Sequence, residues 1–423
     1  MDLYITLAVT IGMMAMFIWG KYAYGLITMT CCVILAATGV LPLSGAFSGF
    51  CNQIVVLIAP TLALSEALKR TSLIGSFGTL LDRMKGTHGT LLILAFYAVG
   101  IIMAQFIPTT GSIAILIVFL ATLGNTGDIT TKRVMMPLLG VMVAWKFRTP
   151  IGLGATTFAM VNGFAGDILA PEHQLSLLDP FLYAIVPSVC LTIYCIFCWK
   201  LMPKDDSAID ESKLKKQAQV ELLPMNKQYI VYGVFVVVVA LMLFNILNLR
   251  YLAPAIGVII LIFTGCLKVP EAVKPMTSDM IWMIAGVLAV ADALSKSGAS
   301  ELIGSALQSG LAHVTNPYII CLIFSAVTVI MTTFLSNTAT QAVLIPIAAS
   351  ICAAAGWDPR GLLLIIGTCN YFAIAFPSGS GEAAVTFAAA GYNPVKILKF
   401  TGPYCLIAIV TCGIMAQIMY PLY

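Results

Sequence analysis

Sixteen apolar runs follow one another along this chain, and one long polar stretch, residues 203 to 227, parts the first eight from the last eight. The runs lie near 3–19, 24–42, 52–68, 88–104, 112–123, 134–144, 156–165 and 181–199, then 228–247, 251–267, 279–295, 317–331, 341–355, 361–374, 383–390 and 401–420. Most are long enough to cross a hydrocarbon core of about 30 Å as a helix, which satisfies its own backbone hydrogen bonds where no water can. Only 9% of the residues are charged, against about 25% in a soluble domain, too few to clothe a water-facing surface. The pattern predicts an all-α polytopic protein, multi-pass in the plasma membrane, with lipid as its first partner. The 423 residues suffice for one membrane body and leave no room for a large soluble domain.

Other classes fall away on composition. The net charge of +4 forms no basic stripe, so nucleic acid is not expected as a partner. Twelve cysteines are scattered, with Cys31, Cys32, Cys190 and Cys321 inside apolar runs, and read as small packing residues. His88, His173 and His313 stand apart, so no metal cluster or cofactor is expected from them. The opening MDLYITLAVTIGMMAMFIW has no basic lead and no cleavage site, and reads as a retained membrane segment.

The shorter runs sit in pairs around polar interruptions. That spacing predicts re-entrant hairpins and helices broken in mid-membrane, where open backbone is tolerable only if protein or a watery cavity covers it. Residues 203–227 hold five lysines and read as a cytoplasmic linker between halves 1–202 and 228–423. The loop 166–180 carries Asp167, Glu172 and Asp179 without Lys or Arg and fits the opposite side. The amphipathic stretches 69–86 and 296–315 are candidates to lie along the membrane surface.

The halves look duplicated. Residues 38–68 set over 264–294, a shift of 226, match at ten positions, including Gly39 with Gly265 and Ala59 with Ala285; Glu66 lands on Asp292. PTTGS at 108–112 aligns with SNTAT at 336–340, a shift of 228, and TPIG at 149–152 with FPSG at 376–379, a shift of 227. Broken segments in corresponding places of two halves are the sequence sign of a secondary transporter.

The polar interruptions supply the chemistry. Ser336, Asn337, Thr338 and Thr340 offer neutral oxygens, the donor set for a dehydrated cation that must later be released. Helix starts just after a break favour an anion. The same residues could instead join helices by hydrogen bonds. In the second half Ser378, Gly379, Ser380 and Glu382 form the partner break. A carboxylate at that depth either holds a cation or proton, or caps the next helix. The first half offers Thr109, Thr110, Gly111 and Ser112 at one tip, with Thr149, Gly152, Gly154, Thr156 and Thr157 at the break. Lys146 reads as a cytoplasmic edge, and Arg148 as either an edge or an anion attractor. Asn125, Asp128 and Asn162 read as turn or cap residues.

These motifs resemble the divalent anion:sodium symporter family, carriers of dicarboxylates, citrate and sulfate within the ion transporter superfamily. The family's Ser-Asn-Thr signature is matched by Ser336, Asn337 and Thr338, and its Thr-Gly turn by TGVLPLSGAF and TGCLKVPEAV. Its second-half break resembles PSGSGEA, with Pro377, Gly379 and Ser380 in register; its first-half break resembles Thr149, Ile151 and Gly152. The resemblance implies inverted repeats, interleaved scaffold and transport domains, elevator-type movement and a homodimer. It also implies Na+ near each hairpin tip, with candidates at Thr109, Gly111, Gly152, Ser336, Asn337, Thr340, Ser378, Gly379 and Glu382 and a main site at Asn337 and the 376–382 break. A small anion would lie between the tips, near Thr109, Thr110, Ser336, Asn337, Thr338 and Ser380. The chain departs from the family at Pro108-Thr109-Thr110, which replaces Ser-Asn-Thr, at Leu153, which stands where Thr is usual, and at Glu382-Ala383, which replaces Pro-Asn. Fewer sodium ions, or protons carried by Glu382, are the alternative coupling.

An enzyme would need a nucleophile or an acid–base pair facing a cavity, and only Glu66, Asp292 and Glu382 stand within the membrane runs; no enzyme is expected. A channel needs no paired breaks. A Na+/H+ antiporter of the same superfamily is the nearer alternative.

Overall fold

The computed structural model describes residues 1–19, 21–72, 89–106, 108–123, 130–203, 222–299, 302, 305, 314, 316–377 and 380–423. Expectations placed on Ser378, Gly379, Asn125, Asp128, His88, His313, most of the linker and most of the two amphipathic stretches lie outside these residues. Among the described residues the secondary structure is helical, without strands.

Each of the sixteen apolar runs contains a helix. The first half holds α1 (Asp2–Trp19), α2 (Tyr24–Ala37), α3 (Gln53–Lys69), α4 (Gly89–Phe106), α5 (Thr109–Leu123), α6 (Thr131–Trp145), α7 (Thr157–Ala165) and α8 (Asp179–Cys198). The second holds α9 (Met225–Phe244), α10 (Ala253–Phe263), α11 (Val269–Met276), α12 (Asp279–Lys296), α13 (Pro317–Phe334), α14 (Asn337–Ala355), α15 (Arg360–Cys369), α16 (Gly381–Ala390) and α17 (Pro394–Met419). Among the described residues five helices are long and apolar enough to cross a membrane, or six if the bent pair α11–α12 counts as one span. Phe197, Phe244, Phe263 and Leu406 are exposed on such helices or beside them, as lipid-facing residues should be. α14 differs: 72% of its apolar window is buried inside protein, against 22–44% for the other four. It is a central element, although its composition alone would suit lipid.

The helices sort into two packed groups. α1–α3 pack with α9–α12, and α4–α8 pack with α13–α17. Lipid gives no hydrophobic drive to bring helices together, so close contact depends on small residues and hydrogen bonds. In the first group, a Cβ on Gly25 would lie 2.7 Å from Trp282 Cβ, and one on Gly286 2.5 Å from Thr28 Cβ. α2 and α12 therefore cross with a glycine on each side of the contact. Asp279 fastens the crossing by accepting from the backbone N–H of Gly25 at 2.8 Å and of Tyr24 at 3.2 Å. In the second group four buried tyrosines donate to backbone carbonyls of neighbouring helices: Tyr97 to Cys195 (3.2 Å), Tyr183 to Cys412 (2.8 Å), Tyr194 to Phe400 (2.7 Å) and Tyr404 to Gly140 (2.7 Å).

The halves share local geometry as well as order. Gly39 and Gly265 both take the left-handed conformation, with φ of 78° and 66°, in their Thr-Gly turns. Thr38 and Thr264 both donate a hydroxyl hydrogen bond four residues back, at 2.7 and 2.8 Å. Glu66 and Asp292 both pair with a lysine at the end of their own helix, Lys69 at 2.7 Å and Lys296 at 2.8 Å. Contacts between halves are exchanged in the same way: α2 packs on α12, and α10 packs on α3.

Candidate functional site

α4 and α5 form one helical hairpin, α13 and α14 the other. At the first tip the backbone N–H groups of Gly111 and Ser112 donate to the Pro108 carbonyl at 2.9 and 3.1 Å, so the proline opens α5. At the second, Ser336 is extended and its Oγ accepts from Ala339 N at 3.2 Å, the hydrogen bond of an N-cap.

The breaks follow α6 and α15. α6 stops at Trp145, and a short 3₁₀ turn, Gly152–Thr156, leads into α7. Phe147 has a φ of 56°, uncommon for a side chain of that size. Gln105, near the end of α4, holds this break: its Nε2 donates to Trp145 O at 2.8 Å and its Oε1 accepts from Thr149 Oγ1 at 2.7 Å. α15 stops at Cys369, and α16 starts at Gly381, where Ser380 Oγ accepts from Ala383 N at 3.2 Å.

Tips and breaks meet across the halves. α5 packs on α16, and α14 packs on α7. Four charged side chains are buried among the described residues: Lys146, Arg148, Asp179 and Glu382. Asp179 caps the 176–179 turn through Ser176. The other three gather at the breaks. Lys146 Nζ lies 2.5 Å from Glu382 Oε1, with side chains 9% and 4% exposed. Glu382 Oε2 is 3.3 Å from Thr110 Oγ1. Arg148 has no carboxylate partner among the described residues. Its guanidinium donates to the carbonyls of Thr368 (2.9 Å) and Gly367 (3.4 Å) at the end of α15, where the helix dipole is negative. It also lies 5.2 and 5.3 Å from the ring centroids of Tyr371 and Phe372.

A continuous line of contacts joins the tips. From Thr110 it runs through Glu382 to Lys146, whose Nζ is 4.9 Å from the Tyr371 ring centroid. Beside Tyr371, Asn370 Nδ2 donates to the Asn337 carbonyl at 3.1 Å. Thr332 Oγ1 lies 2.9 Å from Asn337 Oδ1 and 2.7 Å from the Asn370 carbonyl. Thr109 Oγ1 and Thr340 Oγ1 are buried without a hydrogen-bond partner, and the buried Gln341 amide lies beside Tyr371. Such groups are costly to leave unsatisfied in a folded protein.

Of the residues singled out from sequence, Thr109, Thr110, Glu382 and Ser380 gather at the first tip, and Ser336, Asn337 and Thr340 at the second. Thr338 is half-buried beside them, and Gly111 has open space where a side chain would be. Gly152 serves backbone geometry: its φ is 61°, and a Cβ would lie 2.4 Å from the Gln105 carbonyl. Asn337 was expected with the 376–382 break, of which Ser378 and Gly379 lie outside the described residues; among the described residues Asn337 meets Thr332 and Asn370, and Glu382 meets the first tip. Asn162, read as a turn or cap residue, instead lies within α7 and exchanges two 2.9 Å hydrogen bonds with the Leu175 backbone. Lys146 was read as a membrane edge and is a buried half of an ion pair. Its partner is 236 residues away, so no local pattern shows it. Gln105, Gln341 and Asn370 were given no role. Each is an amide inside or beside an apolar run, and that signal could have found them.

A family model for the citrate transporter family (CitMHS) matches residues 14–367. An uncharacterized transporter of Haemophilus influenzae is 20% identical over 408 residues, covering 90% of this chain and 85% of that one. The sodium-dependent high-affinity dicarboxylate transporter 3 of Caenorhabditis elegans is 30% identical over 141 residues, 33% of this chain and 24% of that protein. An uncharacterized transporter of Synechocystis is 24% identical over 164 residues, and the match spans 27% of its length. Among solved structures, the YdaH transporter of Alcanivorax borkumensis aligns with a TM-score of 0.63 at 13% identity, covering 96% of this chain and 98% of that one. That likeness shows a shared fold.

Proposed function

The chain belongs to the citrate transporter family, and from that premise we propose that it is a secondary active carrier of a small carboxylate anion, citrate or a C4-dicarboxylate, coupled to Na+. The observation that carries this reading is the charge at the breaks. Lys146 is paired with Glu382 beside the start of α16, and Arg148, held at the end of α15, leaves one buried positive charge in excess at the breaks among the described residues. A dry site with excess positive charge and helix N-termini attracts an anion and rejects a free cation. The neutral oxygens of Ser336, Asn337, Thr340 and Gln341 suit a coupling Na+ at the second tip.

The helix groups give the movement. α4–α8 with α13–α17 carry both tips and both breaks and form the transport domain; α1–α3 with α9–α12 form the scaffold and the homodimer contact. The exchanged contacts between halves are those of a two-fold axis, taken to lie in the membrane plane so that the repeats are inverted and each half gives one side of the site. The transport domain then slides as a unit in an elevator cycle.

Uptake of labelled citrate and succinate into proteoliposomes, with Na+ and pH gradients imposed separately, tests the reading. Anion uptake driven by the Na+ gradient is expected. Uptake driven by the pH gradient alone would assign the coupling to protons. Proton-driven Na+ movement without any anion would replace the carrier by an antiporter.

A further inference from the structure

The two tips share a plan and differ in how charge is balanced. At the second, Asn337, Thr332 and Asn370 make neutral hydrogen bonds, and the Thr340 hydroxyl is buried without a partner. Neutral oxygens in a dry site are ligands for a bare monovalent cation. At the first tip the equivalent amide is missing, since Thr109 stands where Asn337 stands in the second half. Glu382 brings a full negative charge there, and Lys146 Nζ sits on its Oε1 at 2.5 Å, with Thr110 Oγ1 at 3.3 Å from the other oxygen. Thr109 Oγ1, one residue away, is buried without a partner. Carboxylate, threonine hydroxyls and a monovalent cation are thus together at this tip, and the cation is the chain's own.

We infer that the Lys146 ammonium is a tethered coupling cation: it stands at the first tip where a free monovalent cation would otherwise bind, so the carrier takes one exchangeable cation, at the second tip. This rests on reading the second tip as a cation site. Arg148 does not share the role, because its guanidinium is bound to the Gly367 and Thr368 carbonyls and faces two rings. A pair that only fastened two helices would be indifferent to Na+ once broken.

The test titrates NaCl against choline chloride and reads the thermal unfolding midpoint in detergent for the wild type, Lys146→Gln and Lys146→Gln/Glu382→Gln. Lys146→Gln frees the Glu382 carboxylate, so it should gain a further Na+-dependent rise in midpoint, beyond the second-tip response that the wild type and the double variant both show. In proteoliposomes the Na+ Hill slope should go from about one in the wild type to about two in Lys146→Gln. An unchanged Na+ response in a folded Lys146→Gln overturns the inference. So does a Lys146→Gln protein that fails to fold in high Na+ while the double variant folds. If neither variant folds, the wild-type slope decides: about two overturns the inference, and about one upholds it. The two readings fail separately. A wild type blind to Na+ with a responsive Lys146→Gln removes the second-tip site alone; a responsive wild type with no gain in the variant removes the tethered cation alone.

Discussion

Replacing Gly152 by alanine should strain the first break from two directions at once. Its φ of 61° lies in the left-handed region, which costs an L-residue with a Cβ about 1–2 kcal/mol. The new methyl would also fall 2.4 Å from the Gln105 carbonyl oxygen, a backbone atom at the end of α4 that cannot swing aside. Relieving such a clash by backbone movement costs about 1–3 kcal/mol. Together the substitution should destabilise the protein by about 2–5 kcal/mol. The movement that relieves it would pull on the Gln105–Thr149 hydrogen bond and on the residues leading into α7, which packs on α14. If only about 1.4 kcal/mol of that strain is expressed as misplacement of the site, substrate affinity falls tenfold. The assay is a thermal unfolding midpoint in detergent paired with equilibrium binding of labelled citrate or succinate. Gly12→Ala, on α1 with nothing within 4 Å of the added carbon, is the control and should leave both unchanged. A Gly152→Ala protein with the wild-type midpoint and affinity would refute the account of this break as a forced close approach.

The Lys146–Glu382 pair should be strongly non-additive: Lys146→Met or Glu382→Leu alone should cost about 3–5 kcal/mol by stranding a buried charge, and the double variant should recover most of it. Thermal midpoints of the four proteins measure this, and simple addition would contradict a buried pair. Asn337→Ala should abolish most transport while the protein stays folded, because the proposed cation site loses its amide oxygen and the helix remains; near-normal Na+-driven uptake would contradict the second-tip assignment. Arg148→Gln should weaken anion binding by at least about tenfold, since the site loses its excess positive charge, and should leave the Na+ response of the midpoint in place; unchanged anion affinity in a binding titration would reduce Arg148 to a clamp on α15.

Much of the fold was legible because a helix in lipid satisfies its backbone within itself. Each apolar run became a helix, and Ser336, Ser380 and Pro108 each mark a helix start at a tip or break. A short helix at Leu43–Ala46 and α11 were missed; α11 is amphipathic, VPEAVKPM, and its signal was local too: Pro270 in its first turn, and Glu271 Oε2 accepting from Lys268 N at 2.9 Å. Other features were legible only in kind. Glu382 could be marked as exceptional from its depth, but a choice between ion binding and capping needed its neighbours. In the structure Ser380 makes the cap, and Glu382 faces Lys146. Lys146 was misread because a lysine beside a helix end usually marks water, and the carboxylate that draws it inward sits in the other half.

By itself the sequence determined that this chain lives in a membrane, that its helices are interrupted at four places, and that the interruptions come in two matching sets. Those properties depend on residues close together along the chain. Only the tertiary structure decided that each tip meets the other half's break, joining Thr110 to Glu382 across 272 residues and Lys146 to Glu382 across 236. Charges buried away from water must find partners or gather at helix ends. Which partner is within reach is settled by how the helices cross.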